Sequence, residues 1–248
     1  MAGLADRLPM LVEIRGENRS VVEANAADPE KDKNGCCSNV FANDLRFFAV
    51  ADFCLHHDVD SFRSQLSRSA ELKLKMFERF ENGEPIDGSY VTMLCYTDLF
   101  SALAAAELPL AKSLAQHMGE RDELEKEHDH PFDYAMGYTL RAFVLDEPEE
   151  MREWTPRLAK ACTDTNMTDF DGYARLFAAM LVNDTTNADK SLGAIVGGHQ
   201  RQSRGRGAFV NREDEVLCVW GVGMANLSRS RGLAVKAIPP LIPDDLLL

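Results

Sequence analysis

The residues best suited to chemistry in this chain form one short tract, His128-Asp129-His130, with Asp133 three positions further on. Two imidazoles beside two carboxylates are a donor set for zinc or iron. Their spacing argues against a helical metal site. Ligands on one helix face recur at three- or four-residue steps, whereas His128 and His130 point apart unless the segment is extended. No Glu-x-x-His or His-Glu-x-x-His pattern accompanies them. A solvated polar connector, its Asp or His capping the helix that follows, accounts for the tract without a metal.

The other chemically suggestive clusters also have structural accounts. His56-His57-Asp58 closes a helical pattern, where an imidazole complements the helix dipole, and Cys54 beside it has no activating context. Gly221 and Gly223 lie inside a helical pattern instead of after a strand, and the third glycine of a dinucleotide loop is missing. They fit close helix packing better. Gly197-Gly198 and the stretch 204–207 lack the Lys-Ser/Thr of a phosphate cradle, and residues 201–208 read as a mobile basic loop. Cys36-Cys37 is a vicinal pair in a loop beside Gly35, while Cys54, Cys95, Cys162 and Cys218 sit singly in apolar helical stretches as expected reduced core residues. No Cys-x-x-Cys spacing occurs. No catalytic residue, metal ligand or cofactor is therefore assigned.

The elements that would hold such residues are helical throughout. Residues 15–38 are polar and rich in turn formers, so the N-terminal segment, 1–38, is expected to be mostly loop. From Val40 on, three- and four-residue periodicity takes over: Phe41, Leu45, Phe48, Ala51 and Leu55 mark a first helix. Asp58 or Asp60 caps a second, with Phe62, Leu66, Ala70, Leu74, Phe77 and Phe80 in its stripe and Asn82-Gly83 as its stop. A third opens at Asp87 or Ser89 and runs to Ala106, apolar on every side and hence buried. Pro109, Pro131 and Pro148 begin the fourth, fifth and sixth. Residues 170–182, 188–196 and 213–230 supply three more. Only residues 233–238 could be extended. The expectation is an all-α domain of stacked helical hairpins over 39–248, about nine helices resembling an α-solenoid, in two sub-bundles meeting near 119–131.

A weak repeat supports stacking. Ala142-Phe-Val-Leu-Asp-Glu-Pro-Glu-Glu and Ala179-Met-Leu-Val-Asn-Asp-Thr-Thr-Asn each end one helix and begin another, 37 residues apart. That is near the period of helical-hairpin arrays, whose faces commonly bind peptides or proteins.

Charge narrows the partner. The chain carries 13 net negative charges, which disfavours nucleic acid and anionic membranes and steers basic proteins inward. Its start lacks the uninterrupted apolar core of a signal peptide, and no apolar run approaches a membrane span, so a cytoplasmic location is expected. The acidic residues most concentrated in sequence are Glu120, Asp122, Glu123, Glu125, Glu127 and Asp129, with Glu147, Glu149 and Glu150 at the start of the sixth helix. They are the candidate contact residues for a basic protein. The alternative is an ordinary solvated connector.

The C-terminal third carries a family resemblance. The helix beginning at Glu213-Asp214-Glu215, the stop Leu227-x-x-x-x-Gly232 and the tail Pro243-x-x-Leu246-Leu247 resemble the end of the Imm49-type immunity proteins of bacterial polymorphic toxin systems. The hairpins of 131–196 are consistent with that family. The resemblance covers roughly half the chain. It implies a non-enzymatic antidote in the cytosol that binds a cognate toxin domain and occludes its active site. A tetratricopeptide-like scaffold or adaptor is the second reading, and a metal-dependent enzyme centred on His128 and His130 the third.

Overall fold

The N-terminal stretch departs first from expectation. In the computed structural model, which describes residues 3–248, much of the supposed loop is a 24-residue helix, α1 (Leu4–Ala27). Its apolar residues draw no stripe, and only Leu4 and Leu8 are buried. Leu8, Leu11 and Val12 pack on the cluster around Phe47 and Phe48, and cations continue the docking beyond them. The Arg15 guanidinium lies 4.1 Å from the centre of the Phe47 ring, and that of Arg19 4.5 Å from Phe48. Such contacts contribute about 0.5–1 kcal/mol each at exposed sites. A search for apolar periodicity passes over them because the docking atoms belong to arginines.

Asp32 organises the link to α2 (Cys36–His56): its buried carboxylate accepts from the Ser38 amide at 2.8 Å, the Ser38 hydroxyl at 2.6 Å and the Arg79 guanidinium at 2.6 Å. Cys36 and Cys37 consequently open a helix and do not sit in a loop. α2 pairs with α3 (Val59–Glu81), and Asp58 caps the latter by accepting from the Ser61 amide at 2.8 Å. On α3 the buried stripe includes Lys73, while Leu74, expected there, is only partly buried. Cys54 is exposed on α2 and is not a core residue, unlike Cys95, Cys162 and Cys218.

The expected third helix is shorter than its apolar run. Two 3-10 turns, Gly88–Tyr90 and Met93–Cys95, precede α4 (Tyr96–Ala104). Asp87 accepts from the Ser89 amide at 3.0 Å and Asp129 from the Met93 amide at 2.9 Å, so side chains occupy backbone donors that a continuous helix would use. Eight of the nine residues of α4 are buried, and the helix packs against α3, α5 (Leu108–His117), α7 (Pro131–Leu145) and α11 (Val219–Ser230). It is the axis of the fold. One hydrophobic cluster runs from Ala49 to Leu247 and includes residues on both sides of 119–131, while α1 covers a smaller cluster around Phe47 and Phe48.

Between α5 and α7 the charged connector holds a two-turn helix, α6 (Asp122–His128). α7 and α8 (Pro148–Asp164) form one hairpin, α9 (Asp171–Leu181) and α10 (Thr185–Gln202) a second, and α8 lies against α9. The compositional repeat has a backbone counterpart. Asp146 (φ 61) and Asn183 (φ 53) are both left-handed, and the following amides return to Ala142 and Ala179 at 3.0 and 2.9 Å. Ala106 and Asn166 end α4 and α8 identically, with Glu107 bonded to Ala102 at 3.0 Å and Met167 to Cys162 at 2.8 Å. This is the paired-bond helix stop that favours Gly or Asn.

The final helix begins later than expected. Glu213–Glu215 form a 3-10 turn, and the Cys218 amide bonds to the Leu241 carbonyl at 3.1 Å before α11 starts. Gly223 allows α11 to approach α4, since a Cβ there would lie 3.0 Å from the Phe100 carbonyl oxygen. Among the described residues the fold is thus all-α with eleven α-helices, the two beyond the expected nine being α1 and α6. Among the described residues there is no strand. Residues 233–238 contribute one isolated bridge, from Ile238 to Ile242. No described helix is long and apolar enough to cross a membrane.

Candidate protein-binding surface

The acidic connector divides into an outward and an inward set. Asp122, Glu123 and Glu127 project from α6 with Glu120 beside them, all exposed, and the Glu123 side chain is 99% accessible. Lys126 approaches Asp122 at 3.6 Å and Glu123 at 3.9 Å, which leaves the strip net negative. Acids in the first turn of α6 also suit the positive end of its dipole. Glu125 faces the opposite way and is fully buried: it accepts from the Tyr138 hydroxyl at 2.8 Å, and that oxygen accepts from the Glu120 amide at 3.2 Å. Burial holds its carboxyl above the usual range. Asp129 is likewise committed to the Met93 amide, and burial raises its pKa too. These two residues anchor α6 and cannot form part of the exposed strip.

The second acidic group lies on the α7–α8 hairpin. Glu147 and Glu150 both contact the Arg141 guanidinium, at 3.2 and 2.9 Å, while Glu149 is highly exposed and touches only Arg152, at 2.6 Å. The two groups adjoin. Burial first, then the charges of Glu150 and Glu120, raise the Glu147 pKa against the opposing pull of Arg141.

An aromatic edge borders the acids, and the helical stripe read from sequence did not include it. Tyr138 stacks on Trp154 with centres 4.5 Å apart and planes 14° from parallel, and Tyr134 meets both at 4.8 and 5.6 Å. Arg157 lies 4.7 Å above the Trp154 ring. Tyr134 and Trp154 are partly exposed, and Asp122 and Glu125 both act electrostatically on the Tyr134 hydroxyl. The four-residue step from Tyr134 to Tyr138 was the available signal. It marks a second face of α7, adjacent to the Phe132, Ala135, Met136, Leu140 and Phe143 stripe.

The remaining chemical candidates have separate tasks. His130 caps α7 by accepting from the Phe132 amide at 3.3 Å, Asp133 accepts from the Tyr96 hydroxyl at 2.9 Å, and His128 is exposed. Among the described residues no group of three or more His, Cys, Asp and Glu is arranged to hold a metal ion. Burial pushes the thiols of Cys95, Cys162 and Cys218 up to about 12, away from thiolate chemistry at neutral pH.

One buried titratable pair escaped the sequence reading. His199 on α10 and Asp214 before α11 are buried, and the imidazole lies 4.8 Å from the Phe209 ring with its Nε2 unbonded among the described residues. Burial pushes the His199 pKa down to about 4, and burial with the neighbouring Glu213 charge pushes Asp214 up to about 7. The folded state therefore prefers both groups uncharged. The His199 contribution is complete above about pH 6.5 and is lost as pH falls towards 4. For Asp214 the stability is present at acid pH and declines as pH rises from about 4 to 7. Asp214→Asn accordingly gains stability over the parent progressively across that rise, by an amount on the order of 3 kcal/mol. His199→Phe gains over the parent in the opposite direction. Urea melts at pH 4.5, 5.5 and 7.0 check both, and parallel profiles for parent and Asp214→Asn contradict the assignment.

Compared with protein-family models, curated proteins and solved structures, the chain gives no match.

Proposed function

We propose that this chain is a protein-binding antidote that captures a basic toxin domain and covers its active site, in the manner of the immunity proteins its C-terminal third resembles. The observation that carries this is the union of an exposed acidic strip (Glu120, Asp122, Glu123 and Glu127, joined by Glu147, Glu149 and Glu150) with the half-exposed Tyr134–Trp154 edge. Acidic side chains raise the encounter rate with a basic partner, and a desolvated aromatic holds the complex once formed. Tyr and Trp at the rim of rigid helices suit that second task because little conformational freedom is lost on binding.

The two parts predict different kinetic signatures. Glu120→Lys, Asp122→Lys, Glu123→Lys and Glu127→Lys combined slow association at low salt by roughly tenfold or more and flatten its salt dependence. Trp154→Ala leaves association nearly unchanged and speeds dissociation by about tenfold or more. The experiment is co-expression with the product of the adjacent reading frame, followed by growth rescue, co-purification and surface plasmon resonance across salt. Failure to co-purify or rescue defeats the antidote reading. Rescue and kinetics unaffected by either variant place the contact elsewhere.

The backbone repeat at Asp146 and Asn183 favours a second reading, a tetratricopeptide-like adaptor. Binding of an acceptor protein by the same surface, without growth rescue, distinguishes it.

A further inference from the structure

A second candidate site lies beside α4. A cleft of ≈ 350 Å³ opens between α2, α3, the 3-10 turns of 88–95 and α4, with Arg212 also on its wall. In a chain with 13 net negative charges it gathers three cations, Arg46, Lys73 and Arg212. Its volume is at the lower end of small-ligand pockets, about 300–1,000 Å³.

Its hydrogen bonding is one-sided. The Lys73 ammonium is buried, its side chain 5% accessible, and it donates to Asn39 Oδ1 at 3.1 Å and the Tyr90 carbonyl at 3.4 Å. The third proton has no acceptor within hydrogen-bond distance, because the nearest carboxylate oxygen, on Asp98, is 3.9 Å away. Arg46 is occupied by Asn43 Oδ1 at 2.6 Å, Asp98 at 3.3 Å and Glu213 at 3.7 Å. Both asparagine carbonyl oxygens are thereby taken by cations, and neither amide NH₂ group has a partner among the described residues. The Arg212 guanidinium makes no hydrogen bond or ion pair with any described residue. Apart from Asp98 Oδ2, 3.9 Å from Lys73, the charged and amide acceptors of the cleft are engaged internally, while several donors are left over.

We propose that this cleft binds a small anionic metabolite through an oxyanion head, a carboxylate or a phosphate. Such a group offers acceptors only and brings the negative charge that Lys73 and Arg212 favour. Asn39 and Asn43 supply neutral donors beside them, and the Tyr90 and Leu94 side receives the remainder of the molecule. This site is independent of the protein-binding surface and holds whether or not that surface binds a toxin.

The test is isothermal titration calorimetry of the full chain with inorganic phosphate and, separately, succinate, at constant ionic strength set by chloride. Saturable one-to-one binding is expected for at least one of them, with Kd about 1 mM or tighter. Binding of phosphate alone assigns a phosphoryl ligand, and binding of succinate alone a carboxylate. Arg212→Gln weakens the affinity by about tenfold or more. Arg212 is exposed and makes no hydrogen bond or ion pair with a described side chain, so this variant retains the fold, which far-UV circular dichroism verifies. Absence of saturable binding by both anions overturns the proposal. So does binding to Arg212→Gln at the parental affinity.

Discussion

Gly198→Ala lowers the unfolding free energy by about 4 kcal/mol, whereas Gly193→Ala, on the same helix, raises it by about 0.5–1 kcal/mol. A Cβ at Gly198 would stand 1.8 Å from the Asp169 carbonyl oxygen and 2.9 Å from its carbon, so α10 touches the backbone of the turn that precedes α9. No rotamer change relieves an overlap between Cβ and backbone, and the turn must move as a unit. The contact has a counterpart: a Cβ at Gly172 on α9 would lie 2.7 Å from the Ile195 amide nitrogen on α10. Gly193 has no atom within 4 Å of its would-be Cβ, and at Gly197 the nearest is the flexible end of Arg201 at 3.6 Å. Alanine at either position therefore removes only the entropic penalty of glycine in a helix. Neighbouring residues 197 and 198 should thus respond with opposite signs. Urea denaturation of the three single variants measures this, and a Gly198→Ala loss below about 1 kcal/mol contradicts the close approach.

Asp98→Ala is the second large effect, a loss of about 3–5 kcal/mol. The carboxylate is 6% accessible and lies between Arg46 at 3.3 Å and Lys73 at 3.9 Å, themselves 13% and 5% accessible. Its removal leaves Lys73 in the interior with no carboxylate within 4.0 Å and Arg46 with Glu213 alone. Most of the loss comes from that uncompensated charge and not from the bond itself. Combining Asp98→Leu with Arg46→Met and Lys73→Met therefore recovers much of the stability, because similar apolar volume replaces these three charges and leaves only Glu213 without its partner. Chemical denaturation of the single and triple variants decides the matter. A triple variant less stable than Asp98→Ala would show that the network contributes more than mutual neutralisation.

The helices legible in the sequence were those whose apolar residues keep a helical period and whose ends carry Asp, Pro, Asn or Gly. Asp58, Pro131 and Pro148 act at α3, α7 and α8 as their types require. α1 was hidden because its apolar face is short, Leu4, Leu8, Leu11 and Val12, and arginines at 15 and 19 continue it where a longer stripe would have leucines. α6 was hidden because seven residues are too few to establish a period. The candidate surface was legible only in part. Composition located the acids, but which of them turn inward depends on Tyr138 and Met93, partners 13 and 36 residues away. The cationic cleft had a local signal in Asp98 within an apolar run and in Lys73 three residues after Ala70. A charge on a buried face becomes meaningful only with its opposite in place, and Arg46 reaches Asp98 across 52 positions.

The left-handed stops at Ala106, Asp146, Asn166 and Asn183 bear on how quickly the chain finds its shape. Each is closed by a bond spanning five residues, so a hairpin corner is set by backbone that diffusion brings together at once. Loop closure over so few residues takes about 10–100 ns. The α7–α8 and α9–α10 units can each form their corner before any distant partner arrives, which places little of their ordering on long-range search. The burial of α4 between early and late segments must wait for the whole chain.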